Sequence, residues 1–333
     1  MRACIIGSGS FGTALSTVLA AHCDQVRIWG RDEKLVAAIN ERKENPVYLP
    51  GISLPQNLCA STSLEEALNG CELVVSATPS HATREVIHRA RSYLPKQVPL
   101  ITVSKGIEND SLLTMTEVLE DSLPEEFHPY LAVLSGPSFA KEMVRRLPTA
   151  VTVAARWEKV AQRCQALLQT DAFRTYTSSD VMGVQIGGAL KNVIAIAAGI
   201  ADGLGFGHNA RAAIITRGLA EMTRIAVRKG SNPLTLSGLS GMGDLVLTCT
   251  GELSRNRGVG VELGRGRPLH QVLGEMKEVA EGVRTAKSAR DMARTLGVEL
   301  PICEQVYAII YDGKDPKRAV VELMKRHPKS ELT

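Results

Sequence analysis

Lys191 is the only charged residue between Asp180 and Asp202. Its neighbours, from Val181 to Leu190 and from Asn192 to Ala201, are almost all apolar or small. In a helix of a protein core such an ammonium is poorly solvated, and complete burial lowers a lysine pKa by up to ~3–5 units. A lysine shifted that far exchanges protons near neutral pH. A second charge in apolar surroundings is Asp244, within Gly241-Met242-Gly243-Asp244-Leu245-Val246-Leu247-Thr248. A carboxylate there needs a cation or a hydrogen-bond donor. Lys191 is a candidate partner, and a helix cap after glycine is the plainer alternative. Ser254-Arg255-Asn256-Arg257 opens an expected helix. Ser254 caps it, and the free N–H groups with Arg255 and Asn256 form a seat for a phosphate or carboxylate.

A segment at the chain start says what that proton serves. Ala3 to Ile6 reads as a buried parallel strand, Gly7-x-Gly9-x-x-Gly12 follows at once, and Thr13 to Ala21 reads as a helix. Strand, glycine turn and helix in that order cradle a dinucleotide: the glycines permit the turn and the close approach, and the helix N-terminus faces the pyrophosphate. The next strand, Gln25 to Trp29, is followed by Gly30-Arg31-Asp32. An acidic residue at the strand end holds a ribose 2′-hydroxyl, whereas an arginine accommodates a 2′-phosphate. Arg31 therefore favours NADPH, with NADH as the alternative, and Asp32 caps the helix that begins near Glu33.

The elements that must position these groups alternate through the first half. Strands are expected at 73–77, 100–103, 130–134, 150–155 and 172–177, with helices at about 82–93, 112–119 and 157–169. That alternation predicts a doubly wound α/β sheet. Ligands in such sheets sit beyond the carboxyl ends of the strands, which brings Pro79 and Ser80, Lys105, and Gly136 and Ser138 to a common edge. From Asp180 onward only helices are expected, at about 181–201, 209–228, 255–264, 283–296, 303–310 and 316–326, with Ser240 to Gly243 as a separating turn. The division predicted is 1–179 for dinucleotide binding and 180–333 for substrate and catalysis, with a polar, frayed tail from His327.

A chain of 333 residues fits two domains. The net charge of +4, with charges mixed along the chain, suits anionic small molecules and gives no nucleic-acid stripe. Seven scattered cysteines without C-x-x-C point to reduced thiols and a cytoplasmic protein, and Cys249 reads as packing rather than nucleophile. The N-terminal apolar run is too short for a signal peptide. The 181–201 run is long enough to span a bilayer, but a lysine at mid-span argues against an integral membrane segment. Hydride chemistry with a cation at the carbonyl oxygen needs no metal.

Over nearly its whole length the chain resembles the bacterial NAD(P)-dependent glycerol-3-phosphate dehydrogenase family. The resemblance is carried by the opening glycine motif, Tyr48-Leu49-Pro50-Gly51, Ser104-Lys105-Gly106-Ile107-Glu108, Ser135-Gly136-Pro137-Ser138-Phe139-Ala140 and Gly188-Ala189-Leu190-Lys191-Asn192-Val193. It continues in Gly241-Met242-Gly243-Asp244-Leu245, Ser254-Arg255-Asn256-Arg257 and Val279-Ala280-Glu281-Gly282. It implies a Rossmann-like N-terminal domain and an all-α C-terminal domain of the 6-phosphogluconate dehydrogenase type. It implies Lys191 as proton donor and acceptor, with Lys105, Gly136, Ser138, Asp244, Ser254, Arg255 and Asn256 around dihydroxyacetone phosphate or sn-glycerol 3-phosphate. Gly7, Gly9, Gly12, Ser10, Phe11, Arg31, Lys105, Ala140, Arg255, Val279 and Glu281 would hold the dinucleotide. A cytoplasmic homodimer supplying glycerol phosphate to phospholipid synthesis is also implied. The alternatives are a 3-hydroxyacid or polyol-phosphate dehydrogenase of the same plan, and a non-catalytic NADPH sensor.

Overall fold

The computed structural model describes residues 1–276, 279–328, 330 and 331; of the predicted tail, Lys329, Leu332 and Thr333 lie outside the described residues. The first half forms strands β1 (Arg2–Ile6), β2 (Gln25–Trp29), β3 (Glu44–Asn45), β4 (Leu49–Ser53), β5 (Leu58–Ser61), β6 (Leu73–Ser76), β7 (Leu100–Thr102), β8 (Leu131–Ser135), β9 (Thr149–Ala155) and β10 (Phe173–Ser178). Eight of them form one sheet in the order β10-β9-β8-β7-β6-β1-β2-β5. Every pairing in it is parallel except β8 with β9, which is antiparallel. Strands β3 and β4 stand apart as a small antiparallel hairpin.

Strand β1 shows why the sheet is buried on both faces. Its residues alternate in direction, as the strand period of two requires. Ala3 and Ile5 pack with Ala14, Leu15 and Leu19 on one face, while Cys4 and Ile6 pack with Leu64, Leu68 and Ile87 on the other. The chain reverses its winding between β1 and β6, and a crevice opens there at the carboxyl ends of the strands, the place where such sheets bind ligands.

Beyond β10 the described chain is helical. The helix Val181–Gly203 forms the axis of this half, and its side chains are buried along nearly all of its length. It is long and apolar enough to cross a membrane, yet its most apolar window is wholly buried within the fold, as the axial helix of a domain core is. The helix Arg255–Gly264 lies against it backbone to backbone. A Cβ on Gly260 would stand 2.1 Å from the Ile196 carbonyl oxygen, and one on Gly199 2.1 Å from that of Arg257. Only glycine permits this approach, and it fixes the start of the Arg255–Gly264 helix relative to Lys191.

Three local expectations need correction. The helix expected at 112–119 runs Met115–Ser122, because Thr114 and Glu117 form a capping box and Leu112 sits at φ +58°. The helix expected from Thr13 begins at Ser10, next to the glycine turn. Ser240 to Gly243 is not a separating turn: Leu239–Gly243 is a π-helical turn that runs directly into the helix Asp244–Thr250.

Candidate active site

Both halves face a single cleft of about 1050 Å³. Its floor is the glycine loop. Gly7 adopts φ +130°, and a Cβ there would lie 2.5 Å from the Ala77 carbonyl oxygen, so the turn demands glycine. At Gly9 a Cβ would meet nothing within 4 Å, so space is open where a ligand backbone approaches. The helix Ser10–Leu19 then presents its N-terminus, with no side-chain cap and no acidic residue in its first turn. Open space, uncapped N–H groups and no competing carboxylate fit a dinucleotide pyrophosphate. Arg31 lines the same cleft at its exposed end.

At the opposite wall Lys191 is buried, with its side chain 8% exposed. Its Nζ donates to Asp244 Oδ1 at 2.7 Å and to Thr248 Oγ1 at 2.7 Å. Asp244 and Thr248 are one helical turn apart and therefore share a face. The Thr248 hydroxyl is held in turn by the Asp244 carbonyl oxygen at 2.6 Å. The other carboxylate oxygen, Oδ2, accepts from Lys105 Nζ at 2.6 Å, and Lys105 also donates to the Gly136 carbonyl oxygen at 3.2 Å. Two ammonium groups thus share one carboxylate, leaving net positive charge in a largely dry place. Burial pushes the Lys191 ammonium down to about 8, helped by Lys105 and opposed by Asp244. Burial pushes Asp244 up, but the two lysines outweigh it and hold the carboxyl below its ordinary range. Asp244 is a shared counter-ion in the first turn of its helix rather than a cap. Cys249, one residue on from Thr248, is fully buried, and burial pushes its thiol up to about 12; it is packing, as expected.

Of the site residues expected from the sequence, every one but Gly136 and Ser80 lines this cleft. Gly136 is buried at its edge and contributes a carbonyl, which also accepts from Ser138 Oγ at 2.9 Å. Ser254 caps the Arg255–Gly264 helix by accepting from Arg257 N–H at 3.2 Å. Asn256 is mostly occupied internally: Nδ2 donates to Asn192 Oδ1 at 2.9 Å, and Oδ1 accepts from Gly282 N–H at 2.9 Å. Arg255 stands exposed beside it and donates to the Val279 carbonyl oxygen at 3.1 Å. Glu281 crosses between the halves, accepting the Ser80 N–H at 2.9 Å and the Ser80 hydroxyl at 2.5 Å. Ser80 therefore holds Glu281 rather than turning to the lysine cluster. Among the cleft-lining residues that sequence reasoning did not assign to the site are Thr248 and Tyr48, the latter from the hairpin. The i, i+4 spacing from Asp244 was the signal for the first.

A glycine loop on a parallel sheet, facing a buried lysine–carboxylate cluster across a cleft, defines a two-domain dehydrogenase of the nicotinamide type. The family model for the NAD-dependent glycerol-3-phosphate dehydrogenase N-terminus matches residues 2–161, and that for its C-terminus matches residues 180–321. The protein named glycerol-3-phosphate dehydrogenase (NAD(P)+) from Myxococcus xanthus is 70% identical over 332 residues, covering 100% of this chain and 99% of its own. Its namesake from Anaeromyxobacter dehalogenans is 56% identical and covers 100% of both. The crystal structure of glycerol-3-phosphate dehydrogenase from Coxiella burnetii superposes with a TM-score of 0.92 at 37% identity, over 98% of this chain and 99% of that one. The chain belongs to the NAD-dependent glycerol-3-phosphate dehydrogenase family.

Proposed function

We propose that the protein reversibly reduces dihydroxyacetone phosphate to sn-glycerol 3-phosphate with NADPH, NADH serving as an alternative. The observation that carries this reading is the buried Lys191, held between Asp244 and Thr248 in the wall of a cleft whose floor is a dinucleotide cradle. The reduced nicotinamide, when bound, supplies the hydride to the substrate C2. Negative charge then grows on the C2 oxygen, and a preplaced ammonium stabilises it without reorganisation. Lys191 donates the proton there and takes it back in the reverse direction; a pKa of about 8 lies close enough to neutral pH for both. Asp244 keeps Lys191 charged and fixes its rotamer, and Lys105 adds positive potential. Gly136 and Ser138 border the substrate.

The capped helix start at Ser254, with Arg255 and Asn256, holds the phosphate, so that remote binding energy orients C2. Gly7, Gly9, Ser10, Phe11 and Gly12 take the pyrophosphate, Arg31 the 2′-phosphate, and Ala140, Val279 and Glu281 complete the coenzyme site. Residues 1–179 then serve coenzyme binding and 180–333 catalysis. The setting is a cytoplasmic homodimer that feeds glycerol phosphate to phospholipid synthesis.

The test is coenzyme oxidation with a substrate panel. Dihydroxyacetone phosphate should be turned over, and 3-oxo acids should not. Preference for an oxo acid would make this a hydroxyacid dehydrogenase, and coenzyme binding without turnover of any carbonyl would leave a sensor.

A further inference from the structure

Asn45 is completely buried, and its amide is used in three directions. Nδ2 donates to the Ser8 carbonyl oxygen at 2.9 Å and to Thr13 Oγ1 at 2.8 Å, while Oδ1 accepts from the Tyr48 N–H at 3.1 Å. Ser8 lies between Gly7 and Gly9, and Thr13 lies just inside the helix that follows the loop. Asn45 itself belongs to the β3–β4 hairpin, which takes no part in the main sheet. Neither Asn45 nor Thr13 lines the cleft, but Ser8 and Tyr48 do. A loop that offers its N–H groups to a pyrophosphate must keep its carbonyl oxygens turned away, since a carbonyl facing a phosphate is repulsive. Asn45 supplies the shorter of the two bonds that hold the Ser8 carbonyl on the far side of the loop, the other being a long one from the Thr13 hydroxyl at 3.4 Å.

We propose that Asn45 is a positioning residue for the coenzyme: it sets the orientation of the glycine loop from behind and ties that loop to Tyr48 on the cleft wall. The inference rests on the coenzyme-binding part of the proposed function. It explains why an asparagine occupies this place. Aspartate has the same shape but no donor, and it would face the Ser8 carbonyl with a carboxylate behind the pyrophosphate seat. Asn40 offers an internal comparison. Its amide bonds Ala60 in both directions, at 2.9 and 2.8 Å, and makes no hydrogen bond to the glycine loop.

The experiment titrates NADPH into the full chain and measures steady-state constants for wild type, Asn45→Ala, Asn45→Asp and Asn40→Ala. Leaving the half-buried Ser8 carbonyl with only the long 3.4 Å bond from the Thr13 hydroxyl should raise the NADPH Kd about tenfold in Asn45→Ala, and further in Asn45→Asp. The rise in coenzyme KM should exceed both the rise in substrate KM and the fall in kcat. Asn40→Ala should lower thermal stability without that selective loss. If Asn45→Ala does not fold, Thr13→Val removes one partner of the amide, and the weaker donor to the Ser8 carbonyl with it, at nearly constant shape, and about a threefold rise in Kd is expected. An NADPH Kd within twofold of wild type in the folded Asn45→Ala (or in Thr13→Val if it is the variant used), or an equal loss in Asn40→Ala, overturns the proposal. Tight NADPH binding by a wild type that does not reduce dihydroxyacetone phosphate overturns the proposed reaction instead, and the Asn45 comparison is still read from coenzyme affinity.

Discussion

Asp244→Asn isolates the electrostatics of the lysine cluster. The substitution keeps shape but removes the one carboxylate that accepts from Lys191 at 2.7 Å and from Lys105 at 2.6 Å. Two ammonium groups then remain in a buried site without their counter-ion. An opposite charge at such range shifts a pKa by about 1–3 units, so Lys191 should fall from about 8 by about 2 units. Reduction uses the ammonium form, which is present below the pKa and lost as pH rises through it. At about pH 7.5 the protonated fraction should drop from roughly three-quarters to roughly one-thirtieth, a loss of about 25-fold in kcat. Stability should fall as well, by about 3–5 kcal/mol, as when one partner of a buried ion pair is removed. The assay is the pH profile of kcat for dihydroxyacetone phosphate reduction at saturating coenzyme, wild type against variant. An inflection that stays near pH 8 in Asp244→Asn would refute the reasoning, because the carboxylate would then not govern Lys191.

Two further outcomes follow from the same structure. Glu221 is buried and accepts the N–H groups of Ile302 and Cys303, and burial raises it from an ordinary 4.5 to about 7. The folded chain therefore keeps a proton there that the unfolded chain releases. Stability should decline by about 3 kcal/mol as pH rises from about 4.5 through about 7. Glu221→Gln should flatten that decline in urea unfolding, and an unchanged slope would show that Glu221 is not its source. Arg255→Ala should raise KM for dihydroxyacetone phosphate by about tenfold or more, the scale of one charge-assisted hydrogen bond, with a smaller effect on kcat; an unaltered KM would place the phosphate elsewhere.

Much of the fold was legible because its signals are local. A β-branched run followed by Gly7-x-Gly9-x-x-Gly12 has few structural solutions, and a lone lysine in an apolar helix had to be buried with a partner. The pairing of Lys191 with Asp244 followed from both charges lying in apolar surroundings. That Lys105 shares the same carboxylate did not, since 139 residues separate the two and nothing in local spacing links them. Thr248 was concealed because the π-helical turn at Leu239–Gly243 read as a glycine-rich loop, which hid the helix that sets it one turn from Asp244. The β3–β4 hairpin was missed because β3 is only two residues long and β4 holds Pro50 and Gly51. Its one buried amide, Asn45, is recognisable only from the loop it holds.

Lys191→Ala tests the central claim most directly. The variant should fold, because Asp244 keeps Lys105 as its counter-ion, and it should bind NADPH close to the wild-type affinity, because Lys191 lies across the cleft from the glycine loop. With the proton donor gone, kcat for dihydroxyacetone phosphate reduction should fall by about 10²- to 10⁴-fold. A folded Lys191→Ala protein that binds coenzyme and turns over within a few-fold of wild type would contradict the account.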